Sequence, residues 1–213
     1  MRGLVTFEGI EGSGKSTQIR LAAEFLAEKK VPFCVTAEPS GTPIGAKIAA
    51  VLFSRGHFDM CAETELLLFC AARAQHVREK IIPALTAGKT VLCDRFSDAT
   101  YAYQGFGRGL NKELIKIVND YSSLNLKPDL TLLFDLPAEK GLQRAVKRND
   151  ALADSSPFDR FEKENIAFHA RVREGYLSIY KSEPGRFRLI DAAQDAQTVQ
   201  KEARRHLMDF INF

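Results

Sequence analysis

The sequence predicts an α/β fold: a five-stranded parallel sheet flanked by helices. Two observations carry this expectation. Short apolar runs alternate with longer amphipathic stretches along the chain, the pattern of strands joined by crossover helices. The first apolar run leads straight into a glycine loop and a helix, the context that a phosphate-binding turn requires.

Gly3–Glu8 is the first strand. The loop after it is Gly9, Ile10, Glu11, Gly12, Ser13, Gly14, Lys15, Ser16 and Thr17, which satisfies G-x-x-x-x-G-K-S. Its backbone N–H groups and the following helix N-terminus offer partial positive charge to a polyphosphate. Lys15 can reach the terminal phosphates, and the Ser16 hydroxyl can ligate Mg²⁺. A coincidental glycine-rich turn is the competing reading, and the correct flanking elements weigh against it. The helix runs from Lys15 to about Lys29, with Ile19, Leu21, Ala22, Phe25 and Leu26 broadly on one side.

Pro32 punctuates, and Phe33–Thr36 is the second strand. A loop leads into a helix from about Ile44 to Phe53, and a long helix covers residues 61–86. Lys89–Asp94 is the third strand, ending in an acid. A loop and helix follow, then a helix from about Asn111 to Leu124. Lys127-Pro128 precedes the fourth strand, Asp129–Asp135, and Pro137 opens the next helix at its first position. That helix reaches about Arg148. Asn149–Pro157 is a polar, helix-poor loop, a long helix spans Asp159 to Lys181, Arg186–Ile190 is the fifth strand, and a last helix closes the chain. No repeat or linker divides residues 1–213, which read as one domain.

With 213 residues, 45% of them hydrophobic and 27% charged, the chain can bury one sizeable core. A net charge of +3 is too small to argue for nucleic-acid binding. Cys34, Cys61, Cys70 and Cys93 lack metal-ligand spacing and read as buried free thiols of a reducing compartment. The N-terminus enters a strand directly, unlike a signal peptide, and no apolar run approaches membrane-spanning length. A cytoplasmic protein is expected.

Four ordered motifs make the reading specific. They are F-E-G-I-E-G-S-G-K-S-T, T-A-E-P-S-G-T, L-L-L-F-C-A-A-R-A-Q-H-V and D-R-F-S-D-A-T-Y-A-Y-Q-G, with further matches at DLTLLFDLP, DRFE and VREGYL. In that order they resemble bacterial thymidylate kinase, of the P-loop nucleoside monophosphate kinases, over nearly the whole chain. The resemblance implies a P-loop NTPase-type sheet with a short lid at about 144–160, and transfer of the ATP γ-phosphate to dTMP, giving dTDP, in dTTP biosynthesis. It also implies Mg²⁺ as cofactor, ATP and dTMP as partners, and a homodimer.

Glu65, Phe69 and Arg73 are spaced i, i+4 and share a helix face. The resemblance assigns Phe69 to stacking on thymine and Arg73 to its O4; core packing and a snorkelling arginine are the plain alternative. Asp94 and Arg95 end the third strand at the sheet edge where open α/β folds bind ligands. Asp94 suits Mg²⁺, in part through water, and the Arg95 fork suits the acceptor phosphate. Thr100, Tyr103 and Gln104 are implied to meet the pyrimidine edge and sugar, with Tyr103 filling the space of a 2′-hydroxyl. Glu11 is implied near the acceptor and the metal, and Glu38 lines the same cavity. The loop holds Glu11-Gly12 and no basic residue there, which implies a lid-supplied catalytic arginine: Arg144 or Arg148, with Arg160 a weaker third.

Four positions depart from the family pattern. Ala37 replaces an arginine, Ser40 a glycine, Phe96 a tyrosine, and Ala99 a serine, so a polar contact to the base is expected to be missing. Two other readings stand beside the resemblance. A deoxynucleoside kinase would take a hydroxyl acceptor with Glu38 as base; a non-catalytic nucleotide-binding module would lack Lys15, Asp94 or the lid arginines.

Overall fold

Apolar β-branched and aromatic runs form the centre of the protein. In the computed structural model, which describes residues 3–54, 56–57, 59–151 and 160–211, five parallel strands are ordered β2-β3-β1-β4-β5. They are β1 Leu4–Glu8, β2 Phe33–Ala37, β3 Thr90–Asp94, β4 Leu130–Asp135 and β5 Phe187–Asp191. The three central strands are buried almost throughout, as expected when helices cover both faces. Register places Phe7 opposite Asp94 on one side and Leu132 on the other. The ends of β1 and β3 therefore open side by side at the carboxyl edge.

Helices α1 Lys15–Glu28, α2 Pro43–Phe53 and α3 Ala62–His76 follow the first two strands. Thr42 caps α2, its Oγ1 accepting from Gly45 N at 3.0 Å. The expected helix over 61–86 is one continuous rod with a π turn at Val77–Ile81 and a last α-helical turn, α4 Ile82–Thr86. After β3 come α5 Ser97–Thr100, a π-helical stretch Tyr101–Gly107, and α6 Lys112–Ser123. The second of these π segments supplies Tyr103 and Gln104 to the cavity described below, in keeping with the frequency of π turns at functional sites.

The remaining helices are α7 Ala138–Ala151, α8 Ile166–Ser182 and α9 Ala196–Ile211. Pro137 lies one residue earlier than expected: its carbonyl accepts from Gly141 N at 3.0 Å, so the helix proper starts at Ala138. The long helix expected from Asp159 is also corrected. A 3₁₀ turn at Arg160–Lys163 comes first, and Asn165 starts α8 by accepting from Phe168 N at 2.9 Å.

No helix of the described residues is long and apolar enough to cross a membrane. All four cysteines are free; Cys70 and Cys93 are buried as expected, Cys34 is half-buried, and Cys61 is exposed at the start of α3.

Candidate active site

A cavity of about 520 Å³ opens over the ends of β1, β2 and β3. One end is the glycine loop and the start of α1; the other is lined by aromatic side chains of α2, α3 and the segments 94–104 and 160–163.

Local backbone demands build the loop end. Gly12 has φ +72°, and a Cβ there would meet the Gly141 carbonyl at 2.1 Å, so the loop can lie against α7 only with glycine. Gly14 has φ +88° where the loop turns into α1. Lys15 is buried and folded onto the loop, its Nζ donating to the Gly9 and Ile10 carbonyls at 2.9 Å each and to Ser13 Oγ at 3.3 Å. Burial, and then the Arg95 charge, lower its pKa to about 8. Ser16 Oγ donates to Asp94 Oδ2 at 3.5 Å. Among the described residues, no group of three or more His, Cys, Asp or Glu side chains forms a protein-only metal cage. Ser16 and Asp94 supply instead the sparse hard-oxygen set that suits Mg²⁺ bound largely by phosphates and water.

Arg95 sits in the middle of the cavity with φ +63°, a left-handed conformation uncommon outside glycine. Its amide is pinned by the Phe7 carbonyl at 3.1 Å, which turns the chain sharply out of β3. Its Nη1 donates to the Gly9 carbonyl at 3.0 Å and to the Tyr176 hydroxyl at 3.1 Å; its Nη2 donates to Glu11 Oε1 at 2.9 Å. The guanidinium lies 4.8 Å from the Tyr103 ring centre. Tyr103 in turn donates to Glu11 Oε1 at 2.5 Å.

Burial alone would raise the Glu11 pKa, but Arg95, His169, Lys15 and Tyr103 together hold it well below the usual carboxylate range. His169 Nδ1 approaches Glu11 Oε2 at 3.2 Å without hydrogen-bond geometry, so Oε2 and both imidazole nitrogens lack partners among the described residues. Glu8, beneath this group, accepts from Phe96 N and from the Tyr176 hydroxyl, at 2.7 Å each. Burial first, and the Asp98 charge second, push its pKa up to about 8 against Arg95 and these two hydrogen bonds.

The other end is an aromatic slot. Phe69 meets Phe53 at 6.4 Å and Phe161 at 6.0 Å between ring centres, and Tyr103 meets Phe161 edge-on at 5.7 Å. Arg73 is only 1% exposed, so it does not reach out to water. Its Nε donates to Glu38 Oε2 at 2.9 Å, Nη1 to Asn119 Oδ1 at 2.7 Å, and Nη2 to the Phe96 carbonyl at 3.2 Å and Thr100 Oγ1 at 2.8 Å. Four of the five guanidinium N–H donors are thus committed, leaving one on Nη1. Glu38 is further held by His76 Nδ1 at 3.3 Å. Gln104, on the π-helical stretch, lines the slot and donates from Nε2 to Glu65 Oε1 at 2.8 Å.

Of the residues singled out in the sequence, the cavity wall gathers Glu11, Gly12, Gly14, Lys15, Ser16, Thr17, Glu38, Phe69, Arg73, Asp94, Arg95, Thr100, Tyr103, Gln104 and Arg144. Gly9, Ile10 and Ser13 lie just behind it, as partners of Lys15. Arg144 also donates from Nη1 to the Ala192 carbonyl at 2.8 Å. The Arg148 side chain and residues 152–159 of the expected lid fall outside the described residues. Arg160 is not in the wall: it is buried, held by Glu65 Oε2 at 2.5 Å and by the Leu52 carbonyl at 3.2 Å. The departures Ala37, Phe96 and Ala99 all line the cavity, and Phe96 lies 5.4 Å beneath the Arg73 guanidinium. Sequence reasoning missed Phe53, Phe161, His169 and Tyr176. The last three lie in or beside the DRFE and VREGYL matches, so a signal was present without a role attached.

This arrangement can seat a polyphosphate on the loop and a flat ring in the slot, with Arg95 between them. The thymidylate kinase family model matches residues 7–203. A thymidylate kinase from Syntrophus aciditrophicus (strain SB) is 52% identical over 207 residues, covering 97% of this chain and 94% of that protein. One from Geotalea uraniireducens (strain Rf4) is 50% identical over 196 residues, 92% of each chain. The crystal structure of thymidylate kinase from Ehrlichia chaffeensis aligns with a TM-score of 0.73 at 33% identity, covering 97% of this chain and 98% of that one. Phosphate loop, aromatic slot and full-length similarity agree: the chain belongs to the thymidylate kinase family.

Proposed function

We propose that the protein transfers the γ-phosphoryl group of ATP to the phosphate of dTMP. The observation that carries this is the placement of Arg95 between the glycine loop and the aromatic slot of one cavity. A donor triphosphate on the loop and a base in the slot bring an acceptor monophosphate to that guanidinium, whose fork matches phosphate geometry. Lys15 exchanges the Gly9 and Ile10 carbonyls for phosphate oxygens when ATP arrives. Ser16, and Asp94 in part through water, would hold Mg²⁺, which when bound would neutralise charge on the donor phosphates.

The acceptor phosphate needs no base, because it is mostly dianionic above its second pKa of about 6. Catalysis is then positioning and electrostatics. A lid at about 144–160 excludes water, the competing nucleophile, and supplies Arg144 or Arg148 to the transferring group. Phe69 stacks on the base, Arg73 offers its remaining Nη1 donor to O4, and Tyr103 closes the space of a 2′-hydroxyl.

A hydroxyl acceptor is disfavoured by Glu38. The carboxylate that would serve as its base is bound by Arg73 and His76. Exposed Leu67 on α3 and Leu114, Ile117 and Tyr121 on the adjoining α6 form an apolar face that supports a homodimer. Free cysteines support a reducing, cytoplasmic setting. A coupled assay with ATP-Mg²⁺ and dTMP, dUMP, dCMP and thymidine as acceptors tests the reading. Turnover with dTMP above all others is expected, and preference for thymidine overturns it.

A further inference from the structure

Glu65 is fully buried on α3 and holds together three parts of the chain. Oε1 accepts from Gln104 Nε2 at 2.8 Å and from Arg108 Nε at 3.1 Å. Oε2 accepts from Arg108 Nη2 at 3.1 Å and from Arg160 Nη2 at 2.5 Å. Two guanidiniums therefore flank one carboxylate, and a carboxylate offers acceptors only. The Gln104 amide beside it has one possible orientation, with NH₂ toward Glu65; the flipped amide would set its oxygen against the carboxylate. Among the described residues the hydrogen bond of the Gln104 side chain runs through Nε2 alone, to Glu65, and the side chain lines the aromatic slot. What the slot can receive from this amide is thus an acceptor.

We propose that Glu65 is a positioning residue that fixes the polarity of the Gln104 amide, so that the slot selects a pyrimidine carrying a ring N–H over one with a bare ring nitrogen. Thymine and uracil present N3–H to such an oxygen; cytosine presents a lone pair, which faces the amide oxygen with no proton between them. This deepens the proposed dTMP specificity and rests on that reading. It assigns to Glu65 a role exerted only through Gln104, and to Arg108 and Arg160 the neutralisation of a buried charge. The Arg160 guanidinium also lies 5.0 Å from the ring centre of Phe161, which lines the slot.

The test is the ratio of kcat/KM for dTMP to that for dCMP. In wild type this ratio is first shown to favour dTMP; if it does not, the functional reading fails before the inference is reached. Glu65→Gln keeps the shape of the side chain but can donate as well as accept, which frees the Gln104 amide to turn over. The ratio is expected to fall by about tenfold or more, as loss of one buried base contact implies. Glu65→Asp remains acceptor-only and is expected to keep the ratio even where turnover drops. A merely structural role would lower both substrates together and leave the ratio unmoved. An unchanged ratio in a folded Glu65→Gln protein overturns the proposal. If that variant fails to fold, Gln104→Leu decides: an unchanged ratio there means that the amide does not select the base, and the proposal is equally overturned.

Discussion

Replacing Arg95 with alanine removes a guanidinium that makes three directional contacts in the cavity, to the Gly9 carbonyl, the Tyr176 hydroxyl and Glu11. An arriving acceptor phosphate gains charge-assisted bonds from the same fork, but Arg95 must release Glu11 or Gly9 to make them. The net loss on Arg95→Ala is therefore set by one such bond, roughly 1.5–3 kcal/mol, or about 10–150-fold in the dTMP dissociation constant. In the proposed reading ATP is held by the loop amides, Lys15 and Ser16, so its affinity should change by less than about threefold. Folding also suffers, because Glu11 Oε1 keeps only the Tyr103 hydroxyl and Oε2 keeps no partner among the described residues. Arg95→Lys is the control: it preserves charge beside Glu11 but loses the fork. Calorimetric titration of each protein with dTMP and with a non-hydrolysable ATP analogue, below its melting temperature, reads both affinities. Weakened ATP binding with unaltered dTMP binding would refute the placement of the acceptor phosphate at Arg95.

Glu8→Gln tests the buried carboxyl under the site. With a folded pKa of about 8 against an ordinary 4.5, Glu8 keeps a proton in the folded state that the unfolded chain has shed. Its stabilising contribution is full below pH 4.5 and is lost as pH rises to about 8, by roughly 3 kcal/mol at pH 7 as an upper bound. The glutamine variant should therefore gain stability relative to wild type between pH 5 and 8 in thermal melts; parallel melting curves would discount the burial effect. For the lid, the Arg144→Ala, Arg148→Ala double variant is expected to lower kcat by at least about tenfold, with smaller changes in KM. Near-normal kcat in steady-state assays would place the transition-state cation elsewhere.

The loop-end residues were legible because their chemistry is local. Gly9 to Thr17 are consecutive in the chain, and spacing alone puts Lys15 and Ser16 beside the loop amides. The pairing of Asp94 with Ser16 was expected from their shared role toward Mg²⁺; the strand order that makes it possible, with β1 and β3 adjacent and ending together, came only from the structure. Segment boundaries were less legible. Asn165 restarts the helix after Arg160–Lys163, and that cap competes with a helical pattern that otherwise runs on.

Arg160 and Glu65 show where sequence reading stops. As an arginine after a polar loop, Arg160 had the pattern of a lid cation, yet it is buried against a carboxylate 95 residues earlier. Gln104 and Arg108 reach the same carboxylate from 39 and 43 residues away. By itself the sequence determined the sheet, the phosphate loop and the residues at the strand ends, because periodicity and short-range backbone geometry act over a few residues. Only the tertiary structure decided which buried charges pair. A charge taken out of water must find its counter-charges among whatever the packing brings near it, and that neighbourhood is set by how helices from distant parts of the chain meet.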